Sequence, residues 1–305
     1  MNIYLAPIQG FTDYVFRNAH YQVYGGVSKY FTPFIRVEGG AIRKKDITDL
    51  LNSAEFDNPD VELVPQVIAN SREDMNLLLE FVQEAGFDTC DINFGCPFPQ
   101  QSKKFRGCGI LQSPEKVAEV LGCLNDFPEI AFSLKMRLGY ENSDESMAVA
   151  DIINSAPLRF VTIHPRIGKQ MYTGDVDMEG FRKLRSAIKH PVVYNGDITT
   201  VEKIRELENE FPDMEAVMIG RGLIGNPALA ANYLDGTDKK DRTKFLTFLN
   251  LLIEGYREHF GNQELMVLDK IKTFAEYFTI DKKSQKKIQK SRSVAEVIGN
   301  VAISL

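Results

Sequence analysis

The sequence is poor in cysteine. Four residues in 305 carry a thiol, at positions 90, 96, 108 and 123, and no two form a C-x-x-C pair. That spacing argues against a zinc knuckle or a thioredoxin-like redox pair, and in a reducing compartment it argues against disulfides. No metal site is expected. Long hydrophobic runs are missing too: no stretch approaches the roughly 18 uncharged apolar residues of a membrane span. The opening MNIYLAPIQG lacks the basic start and apolar core of a signal peptide. A cytoplasmic protein without a membrane partner is therefore expected. Low-complexity segments and internal repeats are absent. Positive charge is in deficit, with a formal net charge of −6, which taken alone argues against a polyanionic partner.

What is present is alternation. Short β-rich apolar runs recur at 3–6, 27–31, 63–68, 89–93, 130–136, 160–164, 192–195 and 216–219. Helix-start signals lie between them. Ser71 with Asp74 three residues on has the form of a capping box, and Gly86 closes that helix. Ser113-Pro114 and Asn226-Pro227 each put a cap residue before a proline suited to the first helical position. Eight strand–helix units in the first part of the chain predict an α/β fold, a (β/α)8 TIM barrel, with an open doubly wound sheet as the alternative. After residue 234 no strand-like run follows the linker at 235–238. Apolar residues at helical spacing over 245–260, 264–278 and 294–303 predict a small all-helical C-terminal domain. The expected division is residues 1–236 for the barrel and 241–305 for the helices.

Barrel chemistry sits at the C-terminal ends of the strands, and here nearly every strand delivers a polar group or a glycine turn to that rim. Ala6-Pro7 ends the first, Gln66 lies in the third, and Asn93 followed by Cys96 ends the fourth. Lys135 and Arg137 share one face of the fifth by the period of two. His164 and Arg166 end the sixth, Asn195-Gly196-Asp197 the seventh, and Gly220-Arg221-Gly222 the eighth. Two inward cations need an anionic or electron-rich partner. Glycine turns after the last two strands let backbone N–H groups approach an anion, and Arg221 adds a planar cation suited to phosphate. Taken singly, each residue has a bland reading: a tight turn, a solvated lysine, a core histidine. A ring of them does not.

Seven motifs, in order, carry a resemblance: APIQGFTDYVFR (6–17), PQV (65–67), INFGCP (92–97), LKMRLG (134–139), HPRIGKQMYTG (164–174), YNGDI (194–198) and MIGRGLIGNP (218–227). Together they resemble the tRNA-dihydrouridine synthases, and IKTFAEYF (271–278) is similar to that family's helical domain. The resemblance implies a barrel binding FMN, with NADPH as electron donor, that reduces a uridine of tRNA at its 5,6 double bond. Carried over by position, it sets Ala6, Pro7 and Ile8 beside the flavin ring, Gln66 on its polar edge and Lys135 near N1. His164 helps hold the flavin, and Asn195, Gly196, Asp197, Gly220 and Arg221 hold its phosphate. Asn93, Arg137, Arg166 and Tyr172 fall to the target base, and Cys96 to the catalytic acid. Three features depart from the family pattern: Gln9 where an acid is common, Ile167 where a threonine is usual, and an unusual loop at 100–114 that is expected to face substrate.

The implied chemistry explains the cysteine. A hydride from flavin N5 goes to C6 of uracil, and C5 needs a proton. A thiol with pKa near 8.5 is mostly protonated at neutral pH and can still release its proton. Asn93 is expected to read the uracil edge with one donor and one acceptor. Cys90 and Cys123 read better as small buried apolar groups. The tail supplies the positive charge that the whole chain lacks. From 269 to 292 eight Lys/Arg stand against three acids, a candidate surface for the tRNA backbone, which 43–45 and 103–106 could extend. A flavin barrel acting on a free pyrimidine is the rival reading, and the basic tail argues against it. A tRNA-binding protein without catalysis is a second rival, which Cys96, Lys135 and His164 oppose.

Overall fold

The computed structural model describes residues 1–53, 56 and 58–304. Eleven strands form in chain order: β1 (Asn2–Leu5), β2 (Lys29–Phe31), β3 (Ile35–Glu38), β4 (Ala41–Ile42), β5 (Glu62–Val64), β6 (Gln66–Ile68), β7 (Thr89–Phe94), β8 (Ala131–Gly139), β9 (Leu158–Ile167), β10 (Val192–Asn195) and β11 (Ala216–Ile219). More strands are present than the eight apolar runs because Pro65 divides one run and two short strands, β3 and β4, lie outside all of them. Pro33 lies between β2 and β3, and Pro65 between β5 and β6. A proline has no N–H for the ladder. The chain nonetheless continues across each break: β2 pairs with β5 and β3 with β6, both in parallel. Read through those breaks, the pairs β1–β2–β5 and β6–β7–β8–β9–β10–β11–β1 close a ring of eight parallel strands. This is the (β/α)8 barrel. The antiparallel β3–β4 hairpin is an extra at its rim.

Two of the three helix signals start a helix where read, although at Ser71 only the serine half of the capping box is made. Ser71 caps Arg72–Glu84 by accepting from the Asp74 N–H, and Ser113 caps Pro114–Gly122 with proline in the first turn. Gly86 stands at φ +84°, where the chain leaves the first of these helices. Its N–H reaches the Gln83 carbonyl, and that of Phe87 reaches Val82, the paired bonds of a Schellman end. Asn226-Pro227 does not play the part expected of it. The next helix is Leu229–Leu234, with Ala228 at its cap and Leu229 N–H bonded to the Asn226 carbonyl, so the proline lies in the preceding turn.

The C-terminal region is all-helical: Arg242–His259, Glu264–Ala275, Lys282–Lys290 and Val294–Ser304. The third of these was not legible, because KKSQKKIQK has one apolar residue, Ile288, to mark a face. The tail packs on the first barrel helix, Tyr14–Val23. The Phe16 ring stacks on Phe274 at 5.8 Å and meets Phe248 edge-on at 5.6 Å. Asp13, the cap of that helix, also accepts from the Tyr256 hydroxyl at 2.7 Å and the Lys270 ammonium at 3.3 Å. One apolar core runs from the barrel's outer layer into the tail. Among the described residues no helix is long and apolar enough to cross a membrane.

Candidate active site

A cavity of about 500 Å³ opens at the C-terminal ends of the strands, within the range of small-molecule sites. Of the residues nominated from sequence, all but two line it. The exceptions are Gln66 and Arg166, which lie behind its wall.

Cys96 stands in the turn after β7 and is 7 % exposed. The turn is built by Asn93, whose Oδ1 accepts the Gly95 N–H at 3.0 Å and the Cys96 N–H at 2.8 Å. Both acceptor positions of that oxygen are therefore taken. Asn93 has a single amide N–H to offer the cavity, because its other donates to Gln66 Oε1 at 2.7 Å. The expected donor–acceptor pair is reduced to a donor. Burial raises the Cys96 thiol above its ordinary pKa, against the Phe98 N–H and the nearby cations, so it is protonated at neutral pH.

The loop at 100–114 stands outside the cavity: none of its residues lines it, and it packs behind the Cys96 turn. Cys108 N–H reaches the Cys96 carbonyl at 3.1 Å and its thiol reaches the same oxygen at 3.3 Å. Gly107, at φ +58°, passes so close that an added Cβ would fall 2.4 Å from that carbonyl.

Lys135 and Arg137 point inward from β8, as their spacing required. Among the described residues the Lys135 ammonium has no hydrogen-bond partner in the protein. Burial and, secondarily, Arg137 lower its pKa to about 8, opposed by Asp91 and Cys96. Arg137 donates to the Gly95 carbonyl at 3.1 Å and the Ile167 carbonyl at 3.0 Å, tying the Cys96 turn to the end of β9. Ile167 thus takes part through its backbone, and its own N–H is bound by Gln170 Oε1 at 2.8 Å. Two guanidinium groups, those of Arg137 and Arg221, each lie 5.3 Å from the centre of the Tyr172 ring.

His164 accepts at Nε2 from Arg166 Nη1 at 3.1 Å. An arginine can only donate, so the histidine proton is on Nδ1. Burial first, then four surrounding arginine and lysine charges, hold His164 well below its ordinary pKa, and it is neutral. Arg166 also pairs with Asp197 and donates to the Gly174 carbonyl. It acts as a brace between His164 and the loop after β10. Asp197 accepts from Arg221 as well, at 2.7 Å. Asn195 ties that loop to β11 through the Met218 carbonyl at 2.7 Å. Gly196 and Gly220 pack closely against neighbouring side chains. A Cβ at 220 would lie 2.8 Å from Ile8, and one at 196 would lie 3.1 Å from Val176.

Several cavity residues were given no role from the sequence, among them Phe34, Phe98, Thr199, Met218, Glu276 and Tyr277. The last two come from the tail, inside the IKTFAEYF segment; Phe11 meets Tyr277 edge-on at 5.0 Å, and just past the segment Thr279 N–H bonds the Gly225 carbonyl at 3.0 Å. That segment was visible as a motif, but nothing local shows that it reaches the barrel mouth.

The donor set fits a flat, electron-rich ring carrying a phosphate. A buried ammonium lacks a protein partner, Ala6, Pro7 and Ile8 form an apolar edge, and an arginine stands between the β10 and β11 loops. No group of three or more metal-ligating side chains occurs among the described residues.

Comparison with known proteins shows the family. The family model described as dihydrouridine synthase matches residues 4–299. The tRNA-dihydrouridine(16) synthase of Pseudomonas syringae pv. tomato is 30 % identical over 236 residues, covering 75 % of this chain and 74 % of that one. The tRNA-dihydrouridine synthase B of Pasteurella multocida is 27 % identical over 230 residues, 74 % and 67 % of the two chains. Among solved structures, morphinone reductase superposes with a TM-score of 0.53 at 12 % identity, covering 80 % of this chain and 88 % of that one; this likeness is one of fold.

Proposed function

Because the chain belongs to the dihydrouridine synthase family, we propose that it reduces a uridine of tRNA to 5,6-dihydrouridine, with FMN held in the cavity and NADPH as electron donor. The observation that carries this reading is the meeting of Cys96, Lys135, Arg137 and Tyr172 on the walls of one cavity, although they come from three separate segments of the chain. When bound, the flavin supplies the hydride that goes to C6 of the pyrimidine.

The chain's own residues do the rest. Ala6, Pro7 and Ile8 flank the ring, and Lys135 sets a positive charge against its electron-rich edge. His164 offers an Nδ1–H, while Asn195, Gly196, Asp197, Gly220 and Arg221 surround the phosphate. Cys96, protonated at neutral pH, delivers the proton to C5. The free amide N–H of Asn93, with Arg137 and Tyr172, orients the uracil. Gln66 and Arg166 act one layer back, through Asn93 and through His164 and Asp197. The target base must leave its stack, which costs a few kcal/mol and least in a loop. The exposed lysines of Lys282–Lys290 offer the polyanion a landing surface.

Cys96→Ala tests the reading. The purified variant is expected to keep its flavin absorbance and its bleaching by NADPH, and to lose dihydrouridine formation on unmodified tRNA by about 10²- to 10⁴-fold. Full activity would remove the cysteine from the mechanism. Turnover of free uracil or orotate in preference to tRNA would overturn the substrate assignment.

A further inference from the structure

Behind the cavity, side chains of three neighbouring strands touch in a line. Ser133 Oγ donates to Asp91 Oδ1 at 2.6 Å, and Gln66 Nε2 donates to Asp91 Oδ2 at 2.6 Å. Asn93 Nδ2 then donates to Gln66 Oε1 at 2.7 Å, and Asn93 Oδ1 receives the two N–H groups of the Cys96 turn. The strand register makes this possible, since Gln66 pairs with Asp91 and Asp91 with Ser133. Gln66 and Asp91 are wholly buried and neither lines the cavity.

The line has a direction. An ionised carboxylate only accepts hydrogen bonds, whereas an amide has an accepting and a donating end. Asp91 therefore draws the nitrogen of Gln66, which turns the Gln66 oxygen toward Asn93. That oxygen draws the nitrogen of Asn93, which turns the Asn93 oxygen toward Gly95 and Cys96. Reversing either amide sets donor against donor in a buried site, where an unmade bond is expensive.

We propose that Asp91 is a positioning residue: through Gln66 and Asn93 it fixes which amide end faces residues 95 and 96, and so holds the Cys96 turn. The consequence for catalysis rests on the reading of Cys96 as proton donor; the conformational claim does not, and its test is independent of turnover.

Gln66→Leu cuts the line without changing charge. The amide protons of Gly95 and Cys96 are expected to exchange about tenfold faster, the effect of losing one supporting hydrogen bond, and the Cys96 thiol is expected to alkylate faster by a similar factor. Unchanged exchange and alkylation would overturn the proposal. A second test uses polarity itself. Asn93→Asp leaves two acceptors facing Gln66, one from each side, and is expected to loosen the turn. Adding Asp91→Asn supplies a donor at the far end, lets Gln66 turn over, and is expected to restore slow exchange at 95 and 96. A double variant as loose as Asn93→Asp alone would overturn the relay, even if Gln66→Leu fails to fold. If the relay fails in these exchange tests while Cys96→Ala still abolishes dihydrouridine formation, the proposed function stands without it.

Discussion

Lys135 and the lysines of Lys282–Lys290 carry the same ammonium group in opposite surroundings. Lys135 is 9 % exposed inside the barrel, whereas Lys282, Lys283, Lys286, Lys287 and Lys290 stand in solvent. Burial brings Lys135 down from 10.5 to about 8, because taking an ammonium out of water disfavours its charged form. The surface lysines act together, as a screened field that attracts a polyanion. One lysine is thus suited to a single ligand atom and the others to a backbone. The remaining basic residues divide along the same line. Lys270, counted with the tail in the sequence, is half-buried and bound to Asp13 and the Gly10 carbonyl, so it fastens tail to barrel. Arg106 is held by Asp74 and adds little free charge.

The comparison breaks most readily at Lys135. Lys135→Met is expected to weaken flavin retention by about ten- to a hundredfold, the worth of one charge-assisted hydrogen bond; retention at the wild-type level in spectral titration would return Lys135 to a packing role. A smaller effect concerns pH. The folded-state pKa lies below the unfolded one, so between pH 8 and 10.5 the unfolded chain binds the extra proton, and stability contributed by this group rises with pH across that window. Denaturant titrations of wild type and Lys135→Met should converge as pH rises from about 8 to about 10. A constant difference would mean that the ammonium is not desolvated. In the tail, changing Lys282, Lys283, Lys286 and Lys287 together to Gln is expected to reduce the salt slope of tRNA binding by up to about 3, at roughly 0.7–0.9 for each phosphate no longer neutralised. An unchanged slope would make the patch incidental. Smallest of all, any one of these four changes should move folding stability by less than about 0.5 kcal/mol in thermal melts.

The legible part of the site follows the same division. Lys135 and Arg137 could be aimed at the cavity from a two-residue period, and Cys96 from its place after a strand end, because strand periodicity is a local property. Gln66 and Arg166 were placed one layer too far forward. Their partners, Asp91 on the next strand and Asp197 in the loop after β10, lie 25 and 31 residues away, and no local pattern states which polar group a buried one will find. The packing of the loop at 100–114 behind the Cys96 turn was not legible for the same reason. Its approach to the Cys96 carbonyl depends on close backbone packing that only the folded chain displays.

By itself the sequence determined the alternation of strands and helices, the caps at Ser71 and Ser113, the ring of polar residues at the strand ends and the excess of positive charge near the C-terminus. Each of these depends on spacing, turn chemistry or composition within a short stretch of chain. The tertiary structure alone decided that two proline-broken strands complete the barrel, that Glu276 and Tyr277 reach its mouth, and that hydrogen bonds run from Asp91 through Gln66 and Asn93 to the Cys96 turn. Those outcomes depend on register and close approach between distant segments, where every buried polar group must find a partner in three dimensions.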